Sequence, residues 1–173
     1  MSERSRIVCF GEVLLRLAAP RGELLRETRE LRVYVGGAEA NVAIALAHLG
    51  HASALITVLP EDALGALCAS ELRRHGVDSS GVCTVPGRMG LYFLERGAGH
   101  RPGRVLYDRE HSAFSQAMPD GVAWAAALQG AAWLHVSGIT AALGVEAARA
   151  LIAGVEAARE RGIRVSFDCN YRP

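Results

Sequence analysis

The sequence predicts an α/β fold with a parallel sheet covered by helices on both faces, plus a small antiparallel sheet set apart. Along most of the chain, short apolar runs alternate with amphipathic helical segments, which is the pattern of parallel strands and crossover helices. Residues 82–108 differ, because they hold three short strand-like runs and glycine-rich turns with no helix between them. Strands joined without crossover helices pair antiparallel, so this block predicts the small sheet.

Each element follows from its local pattern. Apolar runs rich in β-branched residues predict strands at residues 7–10, 13–17, 31–35, 52–59, 82–85, 89–95, 104–107, 132–136 and 163–167. Helical periodicity predicts helices at residues 38–49, 62–75, 122–128 and 145–161. Asp62 is the expected N-cap of the second helix, and Gly50, Gly76 and Gly162 are placed to end three of the helices.

Composition limits the classes of function. Of 173 residues, 50% are hydrophobic, which suits one globular domain, and the net charge of +1 is spread evenly, so neither nucleic acid nor a membrane surface is an expected partner. The apolar run at residues 7–10 is too short for a signal peptide or a membrane span, so we expect a cytoplasmic protein. The four cysteines form no CxxC pair, and we expect reduced, packed thiols.

The chain contains no lysine, since all 19 basic residues are arginine. Walker A loops and Schiff-base chemistry both need an amine, so both are excluded, and any phosphate must be held by arginine or backbone amides. The six histidines show no ligand spacing, so no metal site is expected. Coding bias is the simple explanation for the missing lysine.

The segment Gly36-Gly37-Ala38-Glu39-Ala40-Asn41 predicts a site for a polar ligand. Two glycines let the backbone approach a ligand closely, and the following helix offers free N–H groups beside the Asn41 amide. Asp168, Asn170 and Arg172 follow the predicted strand at residues 163–167. Ligands of parallel α/β sheets bind beyond the carboxyl ends of the strands, so both groups are expected at one crevice.

These segments, together with Asp62-Ala63-Leu64-Gly65, resemble the N-terminal signature of the ribokinase-like (PfkB) carbohydrate kinases. Gly90-Leu91-Tyr92-Phe93, the run from Arg101 to Arg109 and Asp168-Cys169-Asn170-Tyr171-Arg172 are similar to the 2-keto-3-deoxygluconate kinase branch. Pro60 departs from the family pattern, which usually has a glycine before its acidic residue. The resemblance implies a ribokinase-like fold over residues 1–173, with lid segments at about 18–35 and 79–112.

The resemblance also implies site residues. Those implied to bind substrate are Arg16, Gly36, Gly37, Asn41, Tyr92, Tyr107, Arg109 and Arg172. Asn170 would support phosphoryl transfer, and Asp168 would order its loop. Arg16 stands where many sugar kinases of the family have an acidic residue for a neutral sugar, which favours an acidic substrate.

By the same resemblance, the C-terminal half of such a kinase is missing, and with it the catalytic Asp, the anion hole and most of the ATP and Mg²⁺ site. We therefore expect the sugar-binding part of a sugar-acid kinase, with no catalytic residue of its own and with pairing into a homo-oligomer through the lid. A fructokinase or another PfkB sugar kinase is the nearest alternative. A non-catalytic sugar-binding or dimerising module and a truncated product without function remain open.

Overall fold

The computed structural model describes residues 6–116 and 122–171. The strands in this part of the chain are β1 (Arg6–Phe10), β2 (Leu14–Ala18), β3 (Arg32–Gly36), β4 (Ala52–Pro60), β5 (Val82–Val85), β6 (Leu91–Glu95), β7 (Arg104–Asp108), β8 (Ala131–Ser137) and β9 (Arg164–Asp168). The helices are α1 (Ala38–His48), α2 (Ala63–Arg74), α3 (Ala113–Gln116), α4 (Trp124–Ala127), α5 (Gly138–Ala141) and α6 (Val145–Glu160).

The main sheet has five parallel strands in the order β5-β4-β1-β8-β9. Alternate side chains of these strands enter two apolar cores. One core, around Phe10, Phe114 and Trp124, is closed by α3, α4 and α6, and the other, around Leu55 and Leu72, is closed by α1 and α2. The predicted α/β fold with helices on both faces is confirmed.

The small sheet has four strands in the order β3-β2-β6-β7 and is mixed rather than antiparallel. Its two inner strands, β2 and β6, run parallel and no hairpin joins them, because the chain passes through β3, α1, β4, α2 and β5 between them.

The prediction that residues 82–85 belong to the small sheet is wrong. This strand, β5, pairs parallel with β4 at the edge of the main sheet, because α2 is a crossover helix between the two strands. The expected lid segments of about 18–35 and 79–112 stay a prediction. Most of β2, which lies in the small sheet, falls outside them, and β5, which lies in the main sheet, falls inside the second segment.

Helix ends follow the predicted signals closely. The Asp62 carboxylate accepts hydrogen bonds from the backbone N–H groups of Leu64 (2.9 Å) and Gly65 (2.8 Å), as expected of an N-cap. The helix predicted at 122–128 is shorter, at Trp124–Ala127, and the short helices α3 and α5 were not predicted. None of the helices in residues 6–116 and 122–171 is long and apolar enough to cross a membrane.

The cysteines divide into two pairs. Cys9 and Cys68 are buried, and burial raises the pKa of each thiol to about 12. Cys83 and Cys169 are exposed, so the expectation of packed thiols is wrong for these two. The reason is position: Cys83 lies on the edge strand β5, and Cys169 follows β9 at the other edge.

Candidate functional site

A row of four side chains crosses one face of the small sheet. In the strand register, Arg16 of β2 lies opposite Tyr34 of β3 and Tyr92 of β6, and Tyr92 lies opposite Tyr107 of β7. Directly paired residues share a face, so these four side chains, which we call the site row, line one surface. The Tyr92 and Tyr107 rings are 5.8 Å apart, and the Arg16 guanidinium lies 4.4 Å from the centre of the Tyr34 ring.

The glycine pair adjoins the site row. A Cβ atom on Gly36 would lie 3.3 Å from the Tyr92 hydroxyl, so Gly36 borders the row directly. Gly37 has φ +146° and a Cβ atom there would lie 2.3 Å from the Glu12 carbonyl oxygen, so this position requires glycine. Helix α1 begins immediately afterwards, with the Asn41 side chain exposed in its first turn.

Arg109 joins the site row to a buried carboxylate. Its guanidinium lies 5.6 Å from the centre of the Tyr107 ring, and its Nε donates to Glu12 Oε2 at 2.9 Å. The Glu12 side chain is 2% exposed, and the Ser112 hydroxyl donates to its other oxygen. Burial raises the pKa of Glu12, although Arg109 and Ser112 oppose this rise. Because both carboxylate oxygens are engaged, Glu12 is placed to orient Arg109.

A second buried carboxylate, Glu39, ties helix α1 to the main sheet. It accepts hydrogen bonds from the hydroxyls of Ser137, at the end of β8, and Thr140, in α5. A Cβ atom on Gly11 would lie 2.2 Å from Glu39 Oε2, so only glycine leaves room for this carboxylate at the end of β1. Glu39 therefore fixes the start of α1, and with it the Gly36-Gly37 turn.

The predicted residues Asp168 and Asn170 lie at the end of β9, two strands from β1 in the main sheet. Asp168 ends β9, and its carboxylate accepts a hydrogen bond from the Asn170 backbone N–H at 2.9 Å. This contact orders the turn at Asn170, which has φ +45°. The turn also passes close to α5, since a Cβ atom on Gly138 would lie 2.6 Å from the Cys169 carbonyl oxygen. Arg172 lies outside the described residues.

The structure thus brings Arg16, Gly36, Tyr92, Tyr107 and Arg109 together, with Gly37 and Asn41 at the adjoining start of α1. Guanidinium groups, phenol hydroxyls and a helix start can bind and orient a polyhydroxylated, anionic ligand. Within residues 6–116 and 122–171, no three His, Cys, Asp or Glu side chains are grouped so as to hold a metal ion.

Comparison with known proteins identifies the family of the chain. Residues 4–173 match the pfkB family carbohydrate kinase model. The chain belongs to the pfkB family of carbohydrate kinases. It is 38% identical over 168 residues to 2-dehydro-3-deoxygalactonokinase of Haloferax volcanii, covering 97% of this chain and 52% of the relative. Probable fructokinase-3 of Arabidopsis thaliana is 34% identical over 174 residues, covering 98% of this chain and 49% of the relative.

The same family appears among solved structures. The crystal structure of 2-dehydro-3-deoxygluconokinase from Thermotoga maritima superposes with a TM-score of 0.93 at 44% identity, covering 97% of this chain and 52% of that one. The chain therefore spans about half the length of these relatives.

Sequence reasoning missed three residues of the candidate site: Glu12, Glu39 and Tyr34. Glu12 follows β1 directly, and an acid at the carboxyl end of a buried strand is a usable signal. Glu39 lies one helical turn before the buried Ala43, and a charged residue on the buried side of a helix is a second signal. Tyr34 gave no local signal, because its place beside Arg16 depends on strand register.

Proposed function

We propose that this chain is the sugar-binding part of an enzyme that transfers a phosphoryl group from ATP to a hydroxyl of a sugar acid of the 2-keto-3-deoxygluconate type. The observation that carries the proposal is the placement of two arginines, Arg16 and Arg109, on one surface with Tyr92 and Tyr107. Arginine suits a carboxylate because its planar donors match the two oxygens. The names of the relatives in Haloferax volcanii and Thermotoga maritima support the same substrate class.

In this proposal the tyrosine hydroxyls and Asn41 hydrogen-bond the sugar hydroxyls, and the close turn at Gly36-Gly37 leaves room for the sugar. The arginines hold the carboxylate, with Arg172 as a further candidate. Asn170 lies near the transferred group, in a turn ordered by Asp168. These contacts would position the acceptor hydroxyl, which is a large part of what catalysis of phosphoryl transfer requires.

ATP with Mg²⁺ would supply the phosphoryl group in the intact enzyme. In this proposal the chain contributes acceptor binding, and most of the nucleotide site belongs to the part of the relatives that the chain does not span. The test is a binding titration of the chain with 2-keto-3-deoxygluconate and with fructose, a neutral ketose. We expect tighter binding of the acid, and equal or tighter binding of fructose would favour the fructokinase alternative instead.

A homo-oligomer is the second part of the proposal. On the face of the small sheet opposite the site row, Val33, Leu17, Phe93 and Leu106 lie side by side in the strand register, and we call them the outer row. Val33 is 51% exposed and Leu106 is 41% exposed. An apolar row on an open sheet favours association with a second copy of the chain. The same feature would also suit the alternative of a non-catalytic dimerising module.

A further inference from the structure

Arg16 has a buried donor without a partner. Its Nε is buried and makes no hydrogen bond to any residue in the described part of the chain. In residues 6–116 and 122–171, no carboxylate lies within 4.0 Å of its guanidinium, although eight arginine–carboxylate ion pairs occur elsewhere in these residues. A buried, unsatisfied donor costs free energy, so its retention at the site indicates that a ligand satisfies it.

Tyr34 holds Arg16 in place. The guanidinium lies 4.4 Å from the centre of the Tyr34 ring, which is the distance of a cation–π contact. This contact fixes the guanidinium without occupying its in-plane donors, so Arg16 is oriented but free to bind an anion.

Arg109 is in the opposite situation. Its guanidinium forms an ion pair with Glu12, and the Arg109 side chain is 15% exposed while that of Glu12 is 2% exposed. The neighbouring carboxylate balances most of the charge that Arg109 could offer to a ligand. Of the two arginines on the site surface, Arg16 is therefore the one whose charge is not balanced.

We propose that Arg16, held by Tyr34, is the residue that discriminates an acidic sugar from a neutral one, and that Arg109, held by Glu12, mainly positions the ligand. This inference rests on the proposed function and assigns its specificity to one side chain. A neutral sugar can accept a hydrogen bond from the buried Nε but leaves the guanidinium charge unbalanced, whereas a carboxylate satisfies both the donor and the charge. Tyr34 acts through Arg16 and is a positioning residue.

The test is a calorimetric titration of the chain with 2-keto-3-deoxygluconate and with fructose. Arg16→Met should weaken binding of the acid by about tenfold or more and change binding of fructose less than about twofold, since a hydrogen bond to a charged group contributes more than a neutral one. Tyr34→Leu should weaken binding of the acid by about threefold, and Tyr34→Phe, which keeps the ring, should weaken it less than Tyr34→Leu does.

Arg164→Met is the matched control. Arg164 lies on β9, in the main sheet, and its guanidinium lies 4.2 Å from the centre of the Trp133 ring, so it makes the same kind of contact away from the site row. This change should leave both affinities unchanged. Arg16→Lys keeps the positive charge and should retain more affinity for the acid than Arg16→Met. It provides a second test of the role of the charge if Arg16→Met does not fold.

The outcomes separate the two proposals. If the wild-type chain binds fructose and not the acid, the proposed substrate class fails, and this inference with it. If the wild-type chain prefers the acid but Arg16→Met loses affinity for both sugars equally, or for neither, the substrate class stands and this inference is overturned.

Discussion

Folding favours the protonated form of the Glu12 side chain. Burial raises its pKa above the ordinary value of 4.5, so its contribution to stability is complete below that value and is lost as the pH rises through the folded-state pKa. Glu12→Gln removes this titration. We expect the free energy of unfolding of wild type to fall relative to the variant as the pH is raised from 4 to 8, measured by urea unfolding at each pH.

Asp78 provides a control of opposite sign. A hydrogen bond from the Ser80 backbone N–H, with help from Arg6, holds the pKa of Asp78 below its ordinary value. Its contribution is therefore present above the ordinary pKa and is lost as the pH falls. Wild type should gain stability relative to Asp78→Asn as the pH rises towards the ordinary Asp value of 3.8 and should change little above it. A gain of wild type over Glu12→Gln from pH 4 to 8 would contradict the assignment for Glu12.

Removal of Arg109 should cost stability as well as binding. Arg109→Met leaves the buried Glu12 carboxylate without its cation, and breaking one side of a buried ion pair costs about 3–5 kcal/mol. The double variant with Glu12→Gln should recover most of this loss, which urea unfolding at pH 7 would measure. Strictly additive losses would mean that the two side chains are not coupled in the folded chain.

Side chains near the site were only partly predictable. Gly36, Tyr92, Tyr107 and Arg109 were grouped from a family resemblance, and the structure places them together. The pairing of Arg109 with Glu12 spans 97 positions, and no local pattern encodes such a contact. Their roles in binding remain predictions.

The turn from β3 into α1 depends on a backbone that only glycine tolerates well. Gly37 has φ +146° and faces the Glu12 carbonyl oxygen, whereas Gly144, which precedes α6, has φ +147° with no atom within 4 Å of its Cβ position. Both Gly→Ala changes incur backbone strain of about 1–3 kcal/mol, but only Gly37→Ala adds a clash.

Gly37→Ala should therefore lower the free energy of unfolding by at least about 2 kcal/mol more than Gly144→Ala, measured by urea unfolding. Equal losses would show that the contact with Glu12 adds nothing to the strain.

The positions of helices and strands along the chain could be predicted from local periodicity. The sheet to which a strand belongs could not, because it depends on which distant strand it pairs with. The strand at residues 82–85 was found at the right place but assigned to the wrong sheet, since an isolated four-residue run carries no information on its partner. The parallel pairing of β2 with β6 was missed for the same reason. The four-residue helices α3 and α5 are too short for a periodic signal.

At the scale of the whole molecule, the outer row should drive self-association. Sedimentation velocity over a range of concentrations should detect a dimer, and Val33→Asp with Leu106→Asp should raise its dissociation constant by about tenfold or more, because charges are costly at an apolar interface. Phe167→Asp on β9 is the control, with a residue that is 54% exposed on the other sheet. A wild-type monomer at every concentration, or equal effects of both changes, would contradict this assignment.

Catalysis should require more than this chain. We expect no ATP-dependent phosphorylation of 2-keto-3-deoxygluconate by the purified chain above the level of its Asn41→Ala variant, because the chain spans about half the length of the kinases it matches. Fusion to the C-terminal half of the Thermotoga maritima kinase should restore turnover, measured by coupled detection of ADP. Turnover by the chain alone would contradict the proposal that this chain binds the sugar and the other half supplies the catalytic and nucleotide-binding residues.

The order of the main sheet has a practical consequence for spectroscopy. Its two edge strands carry or border the exposed thiols Cys83 and Cys169, whereas Cys9 and Cys68 are buried and their raised pKa keeps them protonated. Maleimide dyes should therefore label only the two edges, without any engineered cysteine. A donor and an acceptor placed there would form a molecular ruler across the sheet, with one end beside the turn that holds Asn170.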